Sequence, residues 1–473
     1  MDTLLSSRET ALIDLKTEQQ VKRKIDLVVL PLICLAFFAQ CLDKLTLNYA
    51  SVFGLIEDLD LHGTQYSWIV SICYVGQLVS EFPAMYLISR LTVARFVACT
   101  IIVWGGICMC SAAATTYSSL MGIRFALGIA EGVVTPAYVP LISLWYKKSE
   151  HPVRVGLWYS CSGFAQVFGA LIMYGVGHAQ MSIAPWKAMF IICGAVSPFI
   201  GVAFFFLVPG SPETAWFLNP QERIIAKWRL EVELDGGDRT NFAPDQLKES
   251  VMDLRVYLSF VFGTLVALAG TVITFASLTI HHLGYDKFET MLYTCPSGAV
   301  QVVSVWISFI LCGIWPNNRC AIAIVLTIVP LLGIILLFAL PLTVGWGMVV
   351  ASWLASVMSN IISILLSLNA SNTRGNTKKA IVNALFCLGA AVGGICGPLL
   401  WKVENAPRYR NGLILSLCSL IGLIASVMLY WYSCIRDNRR RCTAAGLDPG
   451  NCVIGVVGDD LTDKQNRLFR YNT

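Results

Sequence analysis

Charge is what this sequence has least of: only 13% of its 473 residues are Asp, Glu, Lys or Arg, while 56% are hydrophobic. Soluble domains keep about a quarter of their residues charged. With a mean hydropathy of +0.67, the chain reads as a polytopic membrane protein, and a water-soluble fold is excluded. Catalytic signatures are also missing. There is no nucleotide P-loop, no HExxH, no GxSxG and no Cys/His metal spacing, so the chain is not read as an enzyme and no metal or cofactor is expected. The first 25 residues are polar, with no apolar core followed by a small-residue cleavage site. No signal peptide is expected, and the first span is retained. The 17 cysteines scatter through apolar segments rather than forming a secreted framework, so no structural disulfides are expected.

What is present is a series of twelve apolar runs of membrane-crossing length, near 27–49, 67–89, 93–113, 119–144, 155–177, 188–208, 256–280, 291–313, 319–340, 344–368, 380–400 and 411–434. Six and six flank a polar linker. The expected organisation is an all-α membrane protein: a tail 1–26, a six-helix bundle 27–208, a linker 209–255, a second bundle 256–434 and a tail 435–473. Of the 34 Lys and Arg, 27 fall in the tails and in segments on the linker side of the membrane. Five fall on the other side (Lys187, Lys287, Lys402, Arg408, Arg410), and Lys44 and Arg124 lie inside. That asymmetry predicts cytoplasmic termini. It makes the net charge of +5 a feature of the cytoplasmic rim, with no nucleic-acid partner. The sequon at Asn369 falls on the cytoplasmic side and is expected to stay unglycosylated. In the linker, Asn219-Pro220-Gln221-Glu222 opens a short surface helix through Arg229, which a loop at Asp235–Asp238 ends. The tail from Arg436 is basic, then polar, and reads as flexible.

Polar groups inside the spans are few and patterned. In the fourth span Arg124, Gly128, Glu131, Thr135 and Tyr138 share one helical face, with Arg124 and Glu131 two turns, roughly 10 Å, apart. A cation and a carboxylate at membrane depth line a watery cavity or pair with a partner, so two readings stand: a functional site, or an ion pair locking helices together. The first span carries Gln40, Lys44 and Asn48 as one polar stripe. Asp43 points about 100° from Lys44, and both lie near the outer end, where snorkelling to the interface is an alternative. Glu81, followed by Pro83, approaches the linker-side end of the second span. It reads as structural, a gate latch toward Arg90, Arg95 or Arg154. The fifth span adds Ser162 and Gln166.

Apart from Arg319 at the linker-side edge of the ninth, the second six spans contain no Lys, Arg, Asp or Glu. They offer neutral stripes instead: Ser297, Gln301, Ser304 and Ser308 in the eighth span, and Ser352, Ser356, Asn360 and Ser363 in the tenth. Such stripes serve packing as readily as binding. Spans six and nine are nearly bare, as lipid-facing segments are. A small-xxx-small ridge (Gly389, Gly393 and Gly397) in the eleventh span and the glycines Gly163, Gly169, Gly175 and Gly177 of the fifth fit close helix contacts. His178, His281 and His282 sit near the outer ends and read as loop histidines.

Motifs along nearly the whole chain resemble the major facilitator superfamily, specifically the anion:cation symporter family and its fungal allantoate-permease-like branch. They include Leu42-Asp-Lys-Leu-Thr-Leu-Asn-Tyr-Ala50, Tyr74-Val-Gly-Gln-Leu-Val-Ser-Glu-Phe-Pro83, Arg124…Gly128…Glu131…Pro136, Leu144-Trp-Tyr-Lys-Lys148, Pro212…Ala215-Trp-Phe-Leu218, Asn372-Thr-Arg-Gly-Asn-Thr-Lys-Lys379, Ala406-Pro-Arg-Tyr409 and Asp460-Leu-Thr-Asp463…Asn466…Phe469-Arg-Tyr471. The resemblance implies two pseudo-symmetric bundles rocking around a central site lined by helices 1, 4, 7 and 10. In the wider family, which includes sialin and the vesicular glutamate transporters, cations matching Lys44 and Arg124 meet a substrate carboxylate, and a glutamate matching Glu131 joins proton coupling. The family's second arginine, in helix 7, has no counterpart here. The acid of the usual loop between helices 2 and 3 is lost from Leu87-Ile-Ser-Arg-Leu-Thr-Val-Ala-Arg95.

The resulting expectation is a monomeric, proton-coupled symporter in the plasma membrane that takes up a small organic anion, such as a monocarboxylate of vitamin or allantoate type. Lys44 and Arg124 hold the carboxylate; Asn48, Gln166, Gln301 and Asn360 select the remainder; Glu131 carries the proton; Asp43, Glu81, Arg90 and Arg95 are gating or structural. Export of a metabolite and a non-transporting nutrient receptor are the alternatives.

Overall fold

The computed structural model describes residues 15–147, 150–231, 243–315, 317–401, 408–444, 462–466 and 469–473, which form helices and no strands. Twelve helical runs follow one another: α1 (Leu15–Val52), α2 (Gln65–Arg90), α3 (Val93–Cys110), α4 (Tyr117–Gly132, then Val134–Trp145), α5 (His151–His178) and α6 (Pro185–Leu207). The second six are α7 (Leu254–His281), α8 (Lys287–Ile314), α9 (Arg319–Ala339), α10 (Gly345–Ala355, then Ser359–Asn372), α11 (Asn376–Leu399) and α12 (Arg410–Ala444). Ten runs are long and apolar enough to cross a membrane; α2 and the divided α4 complete the twelve. At two helix starts polar side chains meet the free N–H groups. Asp286 and Glu289 cap each other's backbone at the start of α8, as Thr116 and Ser119 do at α4.

Both tails emerge on the linker side. The linker helix Pro220–Glu231 opens as its sequence implies, with Glu222 accepting from the Asn219 N–H at 2.9 Å. It is tied to the first half by buried Arg229, which pairs with Glu18 at 3.1 Å and Glu150 at 2.8 Å, and by Lys24 to Glu222 at 2.7 Å. The loop expected at Asp235–Asp238 lies outside the described residues, as do Lys148, Lys402, Ala406 and Asp460. A second linker helix, Pro244–Val251, rests on the second half, where Gln246 accepts from the Thr377 and Lys378 N–H groups. At eight residues it is too short to show a period in the sequence.

Two expectations are corrected. The described parts of the tail are packed, not loose: Thr462, Asp463, Asn466, Phe469 and Tyr471 are all buried, because α12 runs on to Ala444 and its Arg441 holds the returning segment, while 445–461 lie outside the described residues. Cys442, past the apolar part of α12, is disulfide-bonded, whereas the other described cysteines are free.

Glycines set how closely the helices approach. A Cβ on Gly76 would strike the Phe125 carbonyl of α4, and one on Gly128 would strike the Cys73 carbonyl of α2. The α7–α11 pair repeats this, with Gly263 against the Phe386 carbonyl and Gly389 against that of Phe260. Between the halves, Gly163 of α5 and Gly298 of α8 face each other's carbonyl oxygens. Overpacking such a contact costs roughly 1–3 kcal/mol or more. Gly128→Leu is therefore expected to lower the melting temperature of the purified protein by several degrees, while Gly122→Leu, with nothing near its Cβ, leaves it unchanged. Helices α6 and α9 turn Phe199, Phe206, Val325 and Leu332 outward, the surface expected to meet lipid.

Candidate functional site

The site is assembled where α1 crosses α4. Glu131 is fully buried at the end of the first piece of α4. Its Oε2 faces the Lys44 ammonium at 3.8 Å and accepts a hydrogen bond from Gln77 Nε2 of α2 at 3.2 Å; its Oε1 has no partner. Gln40 of α1 donates to the Glu131 backbone carbonyl at 3.4 Å. The helix interruption at Val133 follows directly. Pro136 has no N–H to offer the Gly132 carbonyl four residues earlier, so the ladder breaks there.

Arg124 lies two turns from Glu131, on the side of the molecule away from the linker. It is 3% exposed, and its guanidinium sits over the Phe190 ring of α6, 5.1 Å from the centroid. Its Nε and Nη2 have no hydrogen-bond partner. The ion pair of this site thus joins Lys44 to Glu131, not Arg124 to Glu131. A buried cation without a counter-ion is costly, and a guanidinium with two free N–H groups is shaped to take a carboxylate.

Asp43 turns away from Lys44, as the helical offset requires. It neither pairs with that lysine nor snorkels. Fully buried, it accepts from Trp104 Nε1 at 2.6 Å and Ser197 Oγ at 3.1 Å, stapling α1 to α3 and α6. Lys44, by contrast, keeps 38% of its side chain exposed deep within the helices.

The neutral candidates fall elsewhere, along seams between helices. Asn48 donates to Ser277 Oγ at 3.3 Å and the Ile273 carbonyl at 3.4 Å of α7. Gln166 donates to Ser297 Oγ at 2.8 Å, and Gln301 to Ser162 Oγ at 3.3 Å, both joining α5 to α8. Asn360 is engaged at both ends of its amide: Nδ2 donates to Ser304 Oγ at 2.7 Å, and Oδ1 accepts from the Ile361 N–H at 2.8 Å in the first turn of the restarted half of α10. The outer ends of the two halves are closed together by the Asn48 bonds, by Ser67 to the Trp401 carbonyl at 2.9 Å and by Ser71 to the Ile395 carbonyl at 2.8 Å. With that side sealed, Lys44 meets solvent from the linker side. In this conformation Glu81 is half-buried and reaches none of Arg90, Arg95 and Arg154. Arg90 lies over Tyr86, and Arg154 is taken by Asp26 at 2.8 Å because α5 starts beside α1.

Three features had weak signals or none in the sequence. Gln77 lay within a recognised motif but without a role. Phe190 lies on a span otherwise bare of polar groups. Toward the linker side, Phe37, Tyr138, Trp158 and Tyr159 form an aromatic wall with ring centroids 4.9–6.1 Å apart. In that wall Tyr138 Oη and Trp158 Nε1 are buried without partners.

Comparison with known proteins gives a consistent picture. The family description Major Facilitator Superfamily matches residues 33–398. An uncharacterized transporter of Schizosaccharomyces pombe is 33% identical over 96% of this chain and 88% of its own. The allantoate permease and the thiamine pathway transporter THI73 of Saccharomyces cerevisiae are each 29% identical, over 96% of this chain and 86% of theirs. Among solved structures, an inward-facing, unoccupied bacterial homologue of the human lysosomal transporter Spinster superposes with a TM-score of 0.62. It is 13% identical, over 88% of this chain and 96% of that one.

Proposed function

The chain belongs to the Major Facilitator Superfamily and is a multi-pass membrane transporter, and from that premise we propose that it couples protons to the uptake of a small organic anion. The observation that carries the reading is Arg124: a buried guanidinium with Nε and Nη2 unpartnered, two turns along α4 from the Glu131 that faces a solvent-open lysine. Arg124 takes the substrate carboxylate bidentately, and Lys44 adds a second charge-assisted bond. Asn48, Gln166, Gln301 and Asn360 shape the neutral remainder of the site, and Glu131 carries the proton. The excess of Lys and Arg on the linker side supports a cytoplasmic location for both termini, so the arrangement described here faces inward, in what we propose is the plasma membrane. Residues 27–208 and 256–434 then rock as two bodies. Asp43 holds α1 in place, and Glu81 meets Arg90 or Arg95 when the linker side closes.

Thermal denaturation with a panel of ligands tests the substrate class. Small monocarboxylates at saturating concentration are expected to raise the melting temperature of the wild type, since a ligand at a hundred times its Kd adds about 2.7 kcal/mol. Their neutral amides should not, and Arg124→Ala should remove the effect. Equal stabilisation by acid and amide would refute an anion site.

A further inference from the structure

The buried end of the chain has no role in the transport site, yet it is among the most heavily bonded segments of the linker side. Tyr471 is its keystone. Its ring lies between two guanidiniums, 3.7 Å from Arg255 of α7 and 4.8 Å from Arg441 of α12. Its hydroxyl donates to Asp463 Oδ2 at 2.7 Å, and its backbone exchanges two 2.9 Å bonds with Asn438. Asp463 in turn takes Lys378 of α11 at 2.8 Å, a lysine shared with Asp253 and Glu249 at the same distance. Burial pushes the Asp253 carboxyl up, but Lys378 outweighs it and holds the group below its ordinary value.

The last link leads to α10. Asn472 N–H donates to Asn372 Oδ1 at 2.7 Å, and Asn372 Nδ2 returns a bond to the Asn472 carbonyl at 2.9 Å. Asn372 is the final residue of the lower piece of α10, which is severed from the upper piece at Ser356–Met358. This piece has 14 residues, short for a helix that must hold itself in register. Asn360 to Ser304 ties its top, Asn369 to Ser259 of α7 and Arg319 of α9 to the Ser367 carbonyl tie its length, and the chain end ties its foot. Discontinuous helices of this kind form the binding sites of many transporters.

We infer that residues 462–466 and 469–473 form an intramolecular strap that positions the linker-side half of α10, and with it Asn360, within the second half of the protein. The strap contacts α7, α10, α11, α12 and the second linker helix, all of one half. It therefore fixes that half internally and leaves rocking between the halves unhindered.

Hydrogen exchange on the full chain in detergent tests this independently of what is transported. Tyr471→Ala removes the ring between the guanidiniums, and Asn372→Ala cuts the tie between the chain end and α10 together with a weak contact to Cys434 of α12. Each is expected to speed exchange across 359–372 by about tenfold or more, with no change across 117–132 of α4. Wild-type exchange at 359–372 in both variants overturns the proposal, and so does an equal acceleration across 117–132, which would mean general loosening. If Tyr471→Ala does not fold, Tyr471→Phe, which loses the hydroxyl's bonds to Asp463 and Arg441 but keeps the ring, is read in the same way with a smaller increase.

Discussion

Replacing Arg124 with alanine is expected to abolish anion uptake while the protein still reaches the membrane. The guanidinium makes no ion pair that its loss would leave stranded: Glu131 is held by Lys44 and Gln77 instead, and Arg124 itself contacts the Phe190 ring. Removing it thus relieves an uncompensated charge more than it breaks the fold, so expression and melting temperature should stay near wild type. A bound carboxylate, by contrast, would lose the partner that offsets its desolvation, on the order of 2–5 kcal/mol, or roughly thirty- to several-thousandfold in affinity. Arg124→Lys should also fail, because a point charge cannot reproduce a planar fork. Lys44→Ala should impair uptake too, with a second consequence: it strips Glu131 of its only ion-pair partner and should cost stability as well. Radiolabelled uptake set beside surface expression checks all three. Wild-type affinity in a folded Lys44→Ala/Arg124→Ala double variant would remove the site from consideration.

The membrane spans were legible in the sequence because bilayer thickness imposes a length that no packing detail can change. The charged stripe of α4 was legible for a related reason: polar residues at membrane depth are rare enough that helical offsets alone group them. Which groups then pair was not legible. Arg124 and Glu131 share a helix two turns apart, too far for direct contact, so their partners come from other helices, whose approach is set by Gly76, Gly128 and Gly163 meeting backbone carbonyls. The neutral candidates Asn48, Gln166, Gln301 and Asn360 had the right depth but no sign of direction. All four spend donors on neighbouring helices. The strap was hidden because its polar composition matches that of a disordered tail. What holds it is a tyrosine between two arginines far apart in sequence, which no periodicity announces.

Changing Glu131 to glutamine is expected to separate binding from coupling. In the structure Lys44 lies 3.8 Å from Glu131 Oε2 and also faces solvent, so an anion arriving as proposed would compete with Glu131 for one ammonium. A protonated Glu131 no longer needs Lys44 and releases it to the substrate, so proton and anion load together. By linkage each tightens the other by the same factor. The free Oε1 leaves room for the proton without disturbing the bond from Gln77. Glu131→Gln fixes the neutral form permanently. It should retain anion binding and exchange across the membrane at equal pH, yet lose accumulation driven by an inward proton gradient. Counterflow and gradient-driven uptake in proteoliposomes measure the two activities side by side. If Glu131 served only as a structural partner of Lys44, both activities would fall together and the melting temperature with them. If the variant still concentrated substrate with protons as the sole driving ion, another group would be the coupling site. Gln77→Leu supplies the control for position. It removes one hydrogen bond to the carboxylate, worth about 1.5–3 kcal/mol when the acceptor is charged, and leaves the titrating group in place. It should weaken uptake without uncoupling it, because the carboxylate can still exchange its proton as the carrier moves between its two faces.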